Sequence, residues 1–195
     1  AELLLNALHG KIITEAELAD ELFISLSTLK KYMKDIKKSL HRFGVEITAD
    51  RTNGIGIKGD EAQIRYCISE YIFNSNDLVD LASNDFYCEL FSRDEIEQVK
   101  QIILAVIRKY NIHLTDIAFK NLLVHVIITM KRADGKNTTE YSAEEMSVLD
   151  ASLYFSAAKE IINTILTQLQ VDITNEVYYL TQHFVSSKKL MGNDE

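Results

Sequence analysis

An amphipathic stretch at residues 26–43 (LSTLKKYMKDIKKSLHRF) limits the folds that this 195-residue chain can adopt. Its apolar residues recur at steps of three and four, a spacing that places them on one face of an α-helix. They are Leu26, Leu29, Met33, Ile36, Leu40 and Phe43. Six lysines and arginines and a single acid occupy the remaining surface, in a chain whose net charge is −8. Either the helix binds an anionic partner, or it is a bundle helix with a solvated basic face.

Charge is divided unevenly along the chain. Residues 1–59 hold nine Lys/Arg and eight Asp/Glu, whereas residues 60–195 hold twelve and twenty-one. A basic helix in the first part and an acidic excess in the second predict two domains with different partners. The sequence starts with Ala and continues at once into an apolar run, so we expect a fragment of a longer protein.

Composition argues against several classes of protein. No apolar run is long enough to span a membrane and no signal peptide is recognisable, which predicts a cytoplasmic protein without a membrane partner. Cys67 and Cys88 match no metal or redox spacing, so we expect buried thiols, no metal and no cofactor. No nucleophile–base pair or phosphate loop points to an enzyme. Because proline is absent and glycine is scarce, the chain should be mostly helical.

A helix-turn-helix is predicted around the start of the basic helix. The sequence from Thr14 to Glu17 has the form of a capping box, and it opens a short helix at residues 15–22. A turn at residues 23–25 follows, and Ser25 or Ser27 can cap the basic helix. Residues at the exposed start of that helix would reach the major groove of DNA. We expect these to be Ser27, Thr28, Lys30, Lys31 and Lys34.

After the basic helix, the hydrophobic period changes from helical to alternating. Residues 45–48 and 55–58 alternate and flank a polar turn, which predicts a β-hairpin. A hairpin that follows a basic helix is typical of a wing, in which Arg51, Asn53 or Lys58 would touch phosphates or the minor groove. The alternative is a hairpin that only covers the helices.

The rest of the sequence predicts helices separated by polar loops. An irregular stretch around residues 74–85 is the expected hinge. We predict helices at residues 61–73, 94–110, 115–132, 146–170 and 175–189, with a break in the fourth near Ala151 or Ser156.

Two of these helices share a local pattern. Leu122-x-x-His125 and Leu180-x-x-His183 are each followed by an apolar residue, and each histidine has a lysine six residues later. Because the pattern repeats, we expect the two histidines to lie close together at the bundle surface or at a two-fold interface. Such a histidine can be a satisfied core or interface residue, a metal ligand together with Glu176, or an acceptor of phosphate.

The sequences TEAELADELFISLSTLKKYMKDIKKSL and RTNGIGIKGDEAQIR resemble the winged helix of the Mga and LicR/MtlR-type bacterial regulators. The resemblance covers roughly residues 3–72. It includes the Gly-Asp/Glu-Glu-x-x-x-Arg stretch in which the family's wing commonly ends, here at residues 59–65. Leu26 departs from the family, in which a basic or polar residue is usual. The resemblance implies a module that binds duplex DNA.

The sequences NLLVHVIITMKR and NEVYYLTQHFVSSK, about sixty residues apart, resemble the two histidine segments of a PTS regulation domain across about residues 93–190. The resemblance implies that His125 and His183 are phosphorylated by the sugar phosphotransferase system, through the phosphocarrier HPr or an EIIB protein. Arg132 closes the first segment as it does in the family.

These observations predict a mostly α-helical, two-module fragment of a bacterial transcription regulator. Residues 1–59 would form a winged helix-turn-helix with a small β-hairpin, residues 60–92 a connecting helix and linker, and residues 93–195 an all-α PTS regulation domain. The predicted function is operator binding at carbohydrate uptake and utilisation genes, by a homodimer that responds to histidine phosphorylation. One alternative is a BglG-type RNA antiterminator, a class that begins with an all-β domain. Another is an interaction module whose basic helix binds an acidic protein.

Overall fold

The computed structural model describes residue 4 and residues 12–50, 54–73, 92–133 and 137–189. The chain divides into two compact units, residues 1–75 and 76–195, and each is described by itself. The first unit contains α1 (Glu15–Glu21), α2 (Leu26–His41), β1 (Glu46–Asp50), β2 (Gly54–Lys58), α3 (Glu61–Ile68) and a π-helical turn (Ser69–Phe73). The second contains α4 (Arg93–Lys109), α5 (Asp116–Ala133), α6 (Ala143–Asp150), α7 (Leu153–Leu169), a 3-10 turn (Thr174–Glu176) and α8 (Val177–Lys189).

The helix-turn-helix of the first unit lies where the sequence predicts it, and a side chain caps the start of each of its two helices. Thr14 Oγ1 accepts a hydrogen bond from the Glu17 N–H, and the Thr14 N–H donates to Glu17 Oε2 at 2.8 Å. Ser25 is the N-cap of α2, and its side chain accepts from the Thr28 N–H. Both polar caps satisfy N–H groups that lack helical partners. The predicted capping box and the Ser25 cap are therefore confirmed.

The turn between α1 and α2 holds a non-glycine residue in the left-handed region. Phe23 has a φ of 54°, and the residue is 95% exposed. The next N–H, that of Ile24, donates to the Ala19 carbonyl at 3.0 Å, which closes α1 in the manner of a Schellman motif. Glycine is the usual residue at this position because a side chain there is strained.

The core of the first unit joins both helices to the hairpin. It comprises Ile13, Leu18, Ala19, Leu29, Met33 and Ile55. The predicted apolar face of α2 is buried at Leu29, Met33 and Leu40, but Leu26 is 40% exposed. By periodicity Leu26 lies on the same face of α2, but it is not part of the core cluster. It is the first residue of the helix, and the residues that enter the core begin one turn later.

The hairpin pairs β1 with β2 in antiparallel register, with Glu46 opposite Lys58. The Ile55 N–H also donates to the Ile13 carbonyl at 2.6 Å, so the segment before α1 pairs with β2 through a single antiparallel bridge. Gly54 permits this approach, because a Cβ at its position would lie 2.7 Å from the Ile13 oxygen. The predicted hairpin is confirmed, and it is built into the unit's core through Ile55.

The segment after the hairpin is an α-helix for eight residues and a π-helical turn for five. Asp60 caps α3 by accepting from the Gln63 N–H. Arg65 is fully buried, and its Nε donates to Glu61 Oε1 at 2.9 Å. Cys67 is buried as predicted, and burial raises the pKa of its thiol to about 11, whereas Cys88 lies outside the described residues. The Gly-Asp-Glu-x-x-x-Arg stretch thus supplies a cap and a buried ion pair.

The second unit is a helical bundle with α5 at its centre. Every residue of α5 from Leu122 to Met130 is buried, because α4 and α8 both pack against it. The predicted break in the long apolar segment is confirmed: α6 is capped at Ala151, and Ser152 caps α7. None of the helices within the described residues combines the length and apolarity needed to cross a membrane. The mostly α-helical architecture with one small hairpin matches the predicted fold class.

Candidate functional site

The basic surface of α2 lies on the exposed side of the helix-turn-helix. Lys30, Lys31 and Lys34 are all exposed, whereas Leu29 and Met33 point into the core. Among the described residues, Lys30 is the only lysine of α2 within 4.0 Å of a carboxylate, that of Glu15. Both partners are well exposed, so this ion pair is weak. The three lysines therefore form an exposed cationic patch on the first half of the helix.

A cluster of hydroxyls occupies the start of α2. Ser25 Oγ lies 2.9 Å from Ser27 Oγ and 2.8 Å from Thr28 Oγ1. Ser27 is exposed, so its hydroxyl can rotate toward a ligand, whereas Thr28 is half-buried within the cap. Leu26, which is 40% exposed, lies between Ser25 and Ser27 in sequence. Of the predicted groove-facing residues, Ser27 and the three lysines are thus the more accessible.

Of the three predicted wing contacts, Lys58 lies within the described residues. Arg51 and Asn53 lie outside the described residues. Lys58 is exposed at the end of β2, directly opposite Glu46. The hairpin that carries these residues is anchored to the helix-turn-helix through Ile55.

The two histidines of the repeated pattern lie side by side in the second unit. Their rings stack with centroids 4.0 Å apart and planes inclined by 26°. His125, on α5, is 8% exposed, whereas His183, on α8, is half-buried. The packing of α8 against α5 brings them together across the sequence. The proximity expected from the shared pattern is therefore observed, but the expected position at the bundle surface is not, because His125 is buried.

Tyr179 connects the two rings. Its hydroxyl lies 2.8 Å from His125 Nδ1, and its ring centroid lies 4.6 Å from that of His183. Four residues after each histidine, a hydroxyl donates to that histidine's backbone carbonyl at 2.7 Å: Thr129 for His125, and Ser187 for His183. The sequence repeat is thus also a repeat in hydrogen bonding.

The charged residues that the sequence singled out alongside the histidines make structural contacts or are buried. Lys131 Nζ donates to Glu95 Oε2 at 2.7 Å, and this pair ties α5 to α4. The Glu176 carboxylate is buried and accepts from the Thr139 hydroxyl at 2.6 Å. Arg132 is buried as well. Within the described residues, no group of three or more His, Cys, Asp or Glu is arranged to hold a metal ion.

Comparison with curated proteins finds two bacterial relatives. The chain is 30% identical over 176 residues to the probable licABCH operon regulator of Bacillus subtilis (strain 168), covering 89% of this chain and 27% of the relative. It is 22% identical over 185 residues to the transcriptional regulator ManR of the same organism, covering 93% of this chain and 28% of the relative. The chain thus spans little more than a quarter of the length of these relatives.

Family models match the two units separately. The Mga helix-turn-helix domain matches residues 1–72, and the PRD domain matches residues 100–187. The chain thus contains a Mga helix-turn-helix domain and a PRD domain, the combination that the resemblance to Mga/LicR-type regulators implied. The Mga domain takes in both helices of the helix-turn-helix, the hairpin and α3, and the PRD domain includes both stacked histidines.

Among residues 12–50 and 54–73, two α-helices precede a single two-stranded hairpin. This order of helices and hairpin fits the match to a helix-turn-helix domain.

Sequence reasoning missed Tyr179 in the PRD domain. The residue lies four positions before His183, so the two share one face of a helix. That spacing could have marked Tyr179 as a neighbour of His183. Its bond to His125 could not be read in the same way, because it depends on how α5 and α8 pack.

Proposed function

We propose that the chain binds operator DNA through its Mga domain and responds to sugar supply through phosphorylation of its PRD domain. The genes controlled would be those of carbohydrate uptake and utilisation. DNA binding is assigned to residues 1–59, sensing to residues 93–195, and the connection to residues 60–92. The donor of phosphate would be HPr or an EIIB protein of the sugar phosphotransferase system. Operator DNA and these donors are cytoplasmic, so we infer that location for the chain.

The exposed lysines on the first half of α2 support the DNA-binding role. Lys31 and Lys34 are exposed cations in a chain of net charge −8, on a helix preceded by a second helix and followed by a hairpin. Cations arranged in this way neutralise phosphates, while the start of the helix reads base edges. Ser27, Thr28 and Lys30 complete the proposed groove-facing set, and the wing residues Arg51 and Asn53 would add backbone contacts.

The stacked histidines support the sensing role. A phosphate on His125 or His183 adds nearly two negative charges beside a ring whose centroid is 4.0 Å away. Because His125 is nearly buried where α8 packs against α5, a phosphate on it would crowd the contact between these two helices. Phosphorylation would therefore alter the packing of the PRD domain. We propose that this change shifts a homodimer equilibrium and respaces two recognition helices on a palindromic site.

A charge reversal on α2 tests DNA binding. Lys31→Glu should weaken binding to a selected duplex about tenfold and lower the salt slope by about one to two, because a phosphate contact releases counterions. Lys38→Glu is the matched control, since it makes the same charge change nearer the end of the same helix. It should weaken binding to the duplex less than Lys31→Glu does. Affinity is measured by fluorescence anisotropy over a salt series. Equal effects of the two variants would show general electrostatic attraction, and no effect would exclude α2 as the reading element.

Transfer of labelled phosphate tests sensing. Incubation with phosphorylated HPr or a cognate EIIB should give the chain an acid-labile, base-stable label, as expected of phosphohistidine. His125→Ala with His183→Ala should abolish the label, whereas His113→Ala, a substitution of an exposed histidine in the same unit, should not change it. Undiminished labelling of the double variant would contradict the assignment to this pair.

Assembly is tested by sedimentation of the chain with and without phosphorylation. The proposed homodimer should appear as a concentration-dependent increase in mass, and phosphorylation should shift its midpoint. A chain that remains monomeric in both states at high concentration would contradict the dimer proposal, while leaving DNA binding by one copy intact.

A further inference from the structure

The hydrogen bond between Tyr179 and His125 bears on which nitrogen of His125 reacts. Nδ1 lies 2.8 Å from the phenol oxygen, at a nearly buried position between α5 and α8. A neutral imidazole has one N–H donor and one nitrogen with a lone pair, and the partner of one nitrogen decides the tautomer. Only the nitrogen with the lone pair can attack phosphorus.

The phenol can serve as acceptor or donor in this bond. If Nδ1–H donates to the Tyr179 oxygen, the lone pair resides on Nε2. If the phenol donates to Nδ1, then Nε2 carries the proton and Nδ1 is blocked, so that neither nitrogen is ready to react. The first arrangement is the one that gives His125 a usable nucleophile.

We propose that Tyr179 is a positioning residue that holds His125 as its Nδ1–H tautomer and thereby directs phosphorylation to Nε2. This inference rests on the proposed sensing function. Tyr179 contacts the accepting histidine at Nδ1, so it would act through His125. Its ring, packed edge-on against His183 at 4.6 Å, holds the phenol in place.

The phosphoryl transfer balances without a further reactant. The Nε2 lone pair forms the new N–P bond as the N–P bond of the donor's phosphohistidine breaks, and that electron pair returns to the donor's imidazole. The Nδ1 proton stays on His125. Positive charge that develops on the ring strengthens the hydrogen bond from Nδ1–H to the Tyr179 oxygen, because a charged donor bonds more strongly than a neutral one.

Two measurements on the 195-residue chain test the inference. Nitrogen-15 NMR of the unphosphorylated chain identifies which His125 nitrogen is protonated, independently of any variant. The same method applied after transfer from phosphorylated HPr identifies the nitrogen that bears phosphate. We expect a protonated Nδ1 in the first spectrum and an Nε2–phosphate bond in the second.

Substitution of the phenol tests the cause. Tyr179→Phe should slow labelling of His125 about tenfold and abolish the fixed tautomer, since the lost hydrogen bond is one to a group that becomes charged. Tyr178→Phe is the matched control. It removes the neighbouring hydroxyl, which donates to Asp150 Oδ1 at 3.1 Å, and it should leave both the tautomer and the labelling rate unchanged.

The outcomes separate the inference from the function on which it rests. Phosphate on Nδ1, a protonated Nε2 in the resting chain, or a Tyr179→Phe variant with parental rate and tautomer would overturn the positioning role and leave sensing by His125 intact. Absence of any label on His125 in the parent chain would overturn the sensing role of this residue and the inference with it.

Discussion

The two units differ in where their functional candidates lie relative to the core. In the Mga domain, Lys31 and Lys34 are exposed while the opposite face of the same helix is buried at Leu29 and Met33. In the PRD domain, His125 is itself part of the interface between two packed helices. The first arrangement would separate the proposed DNA binding from stability. The second would couple function to stability, because a chemical change on His125 would also disturb the packing.

Buried polar groups sharpen this contrast. In the Mga domain the fully buried Arg65 is paired with Glu61 one turn away on the same helix, which makes the pair a local structural element. In the PRD domain, His125 and Glu176 have partners on other segments, Tyr179 and Thr139. Polar contacts inside the PRD domain therefore report on how its helices are arranged, and the predictions below test this difference.

The largest effect is expected at Arg65. Arg65→Ala should lower the free energy of unfolding by about 3–5 kcal/mol, because it leaves the Glu61 carboxylate without its cation in a nearly dry site. Native-state hydrogen exchange should locate the loss in residues 12–73, with little change in residues 93–187. The double variant Arg65→Met, Glu61→Gln removes both charges and should lose less than half as much. Equal losses would mean that packing and not charge governs the site.

Removing one helix cap in each unit should lower stability by a smaller amount. Thr14→Ala in the Mga domain and Ser142→Ala in the PRD domain each remove a capping box and should each cost about 1 kcal/mol. Hydrogen exchange of α1 and α6 would resolve the two losses. Markedly unequal values would show that one unit compensates for a lost cap through its packing.

The same caps predict a dependence on pH. Hydrogen bonds from the backbone N–H and the hydroxyl of Ser142 hold the pKa of Glu145 below its ordinary value. A lowered folded-state pKa gives stability that is present above the ordinary carboxylate pKa and is lost as pH falls through the lowered one. The parent should therefore lose more stability on acidification than Glu145→Gln. Parallel curves from urea unfolding, followed by circular dichroism, would contradict the prediction.

Replacing a residue of positive φ by glycine should raise stability and not lower it. Phe23→Gly should raise stability by up to about 1 kcal/mol, because Phe23 has a φ of 54° and its exposed ring contributes little packing. Asn111→Gly in the PRD domain is the matched change, at a φ of 52°, and should gain less because asparagine tolerates this region. A loss of stability in Phe23→Gly would show that the ring makes a stabilising contact.

The smallest effect is expected at Leu26. Leu26→Ser should change the free energy of unfolding by about 0.5 kcal/mol or less, because the side chain is well exposed at the start of α2. Leu29→Ala, one turn later and buried, should cost about 2–5 kcal/mol. A change in the preferred duplex for Leu26→Ser, at unchanged stability, would make Leu26 part of the DNA-reading surface. Comparable losses at the two positions would contradict the separation of binding from stability.

The sequence alone determined the local structure of both units. Helical periodicity, the capping box at Thr14 and the alternation of the hairpin are properties of neighbouring residues, and each appears where the pattern predicts it. The repeated Leu-x-x-His pattern also predicted that the histidines meet. A pattern of this kind is readable because steps of three and four fix the face of a helix whatever packs against it.

Only the tertiary structure decided which side chains become partners. It assigned Lys131 to Glu95, buried Arg65, exposed Leu26 and brought the Tyr179 phenol to His125 Nδ1. Each of these outcomes depends on the approach of distant segments or on which parts of a face are covered. Periodicity specifies the face that a residue occupies but carries no information about what lies opposite. The hydrogen bonding of the His125 ring therefore follows from the packing of α8 against α5.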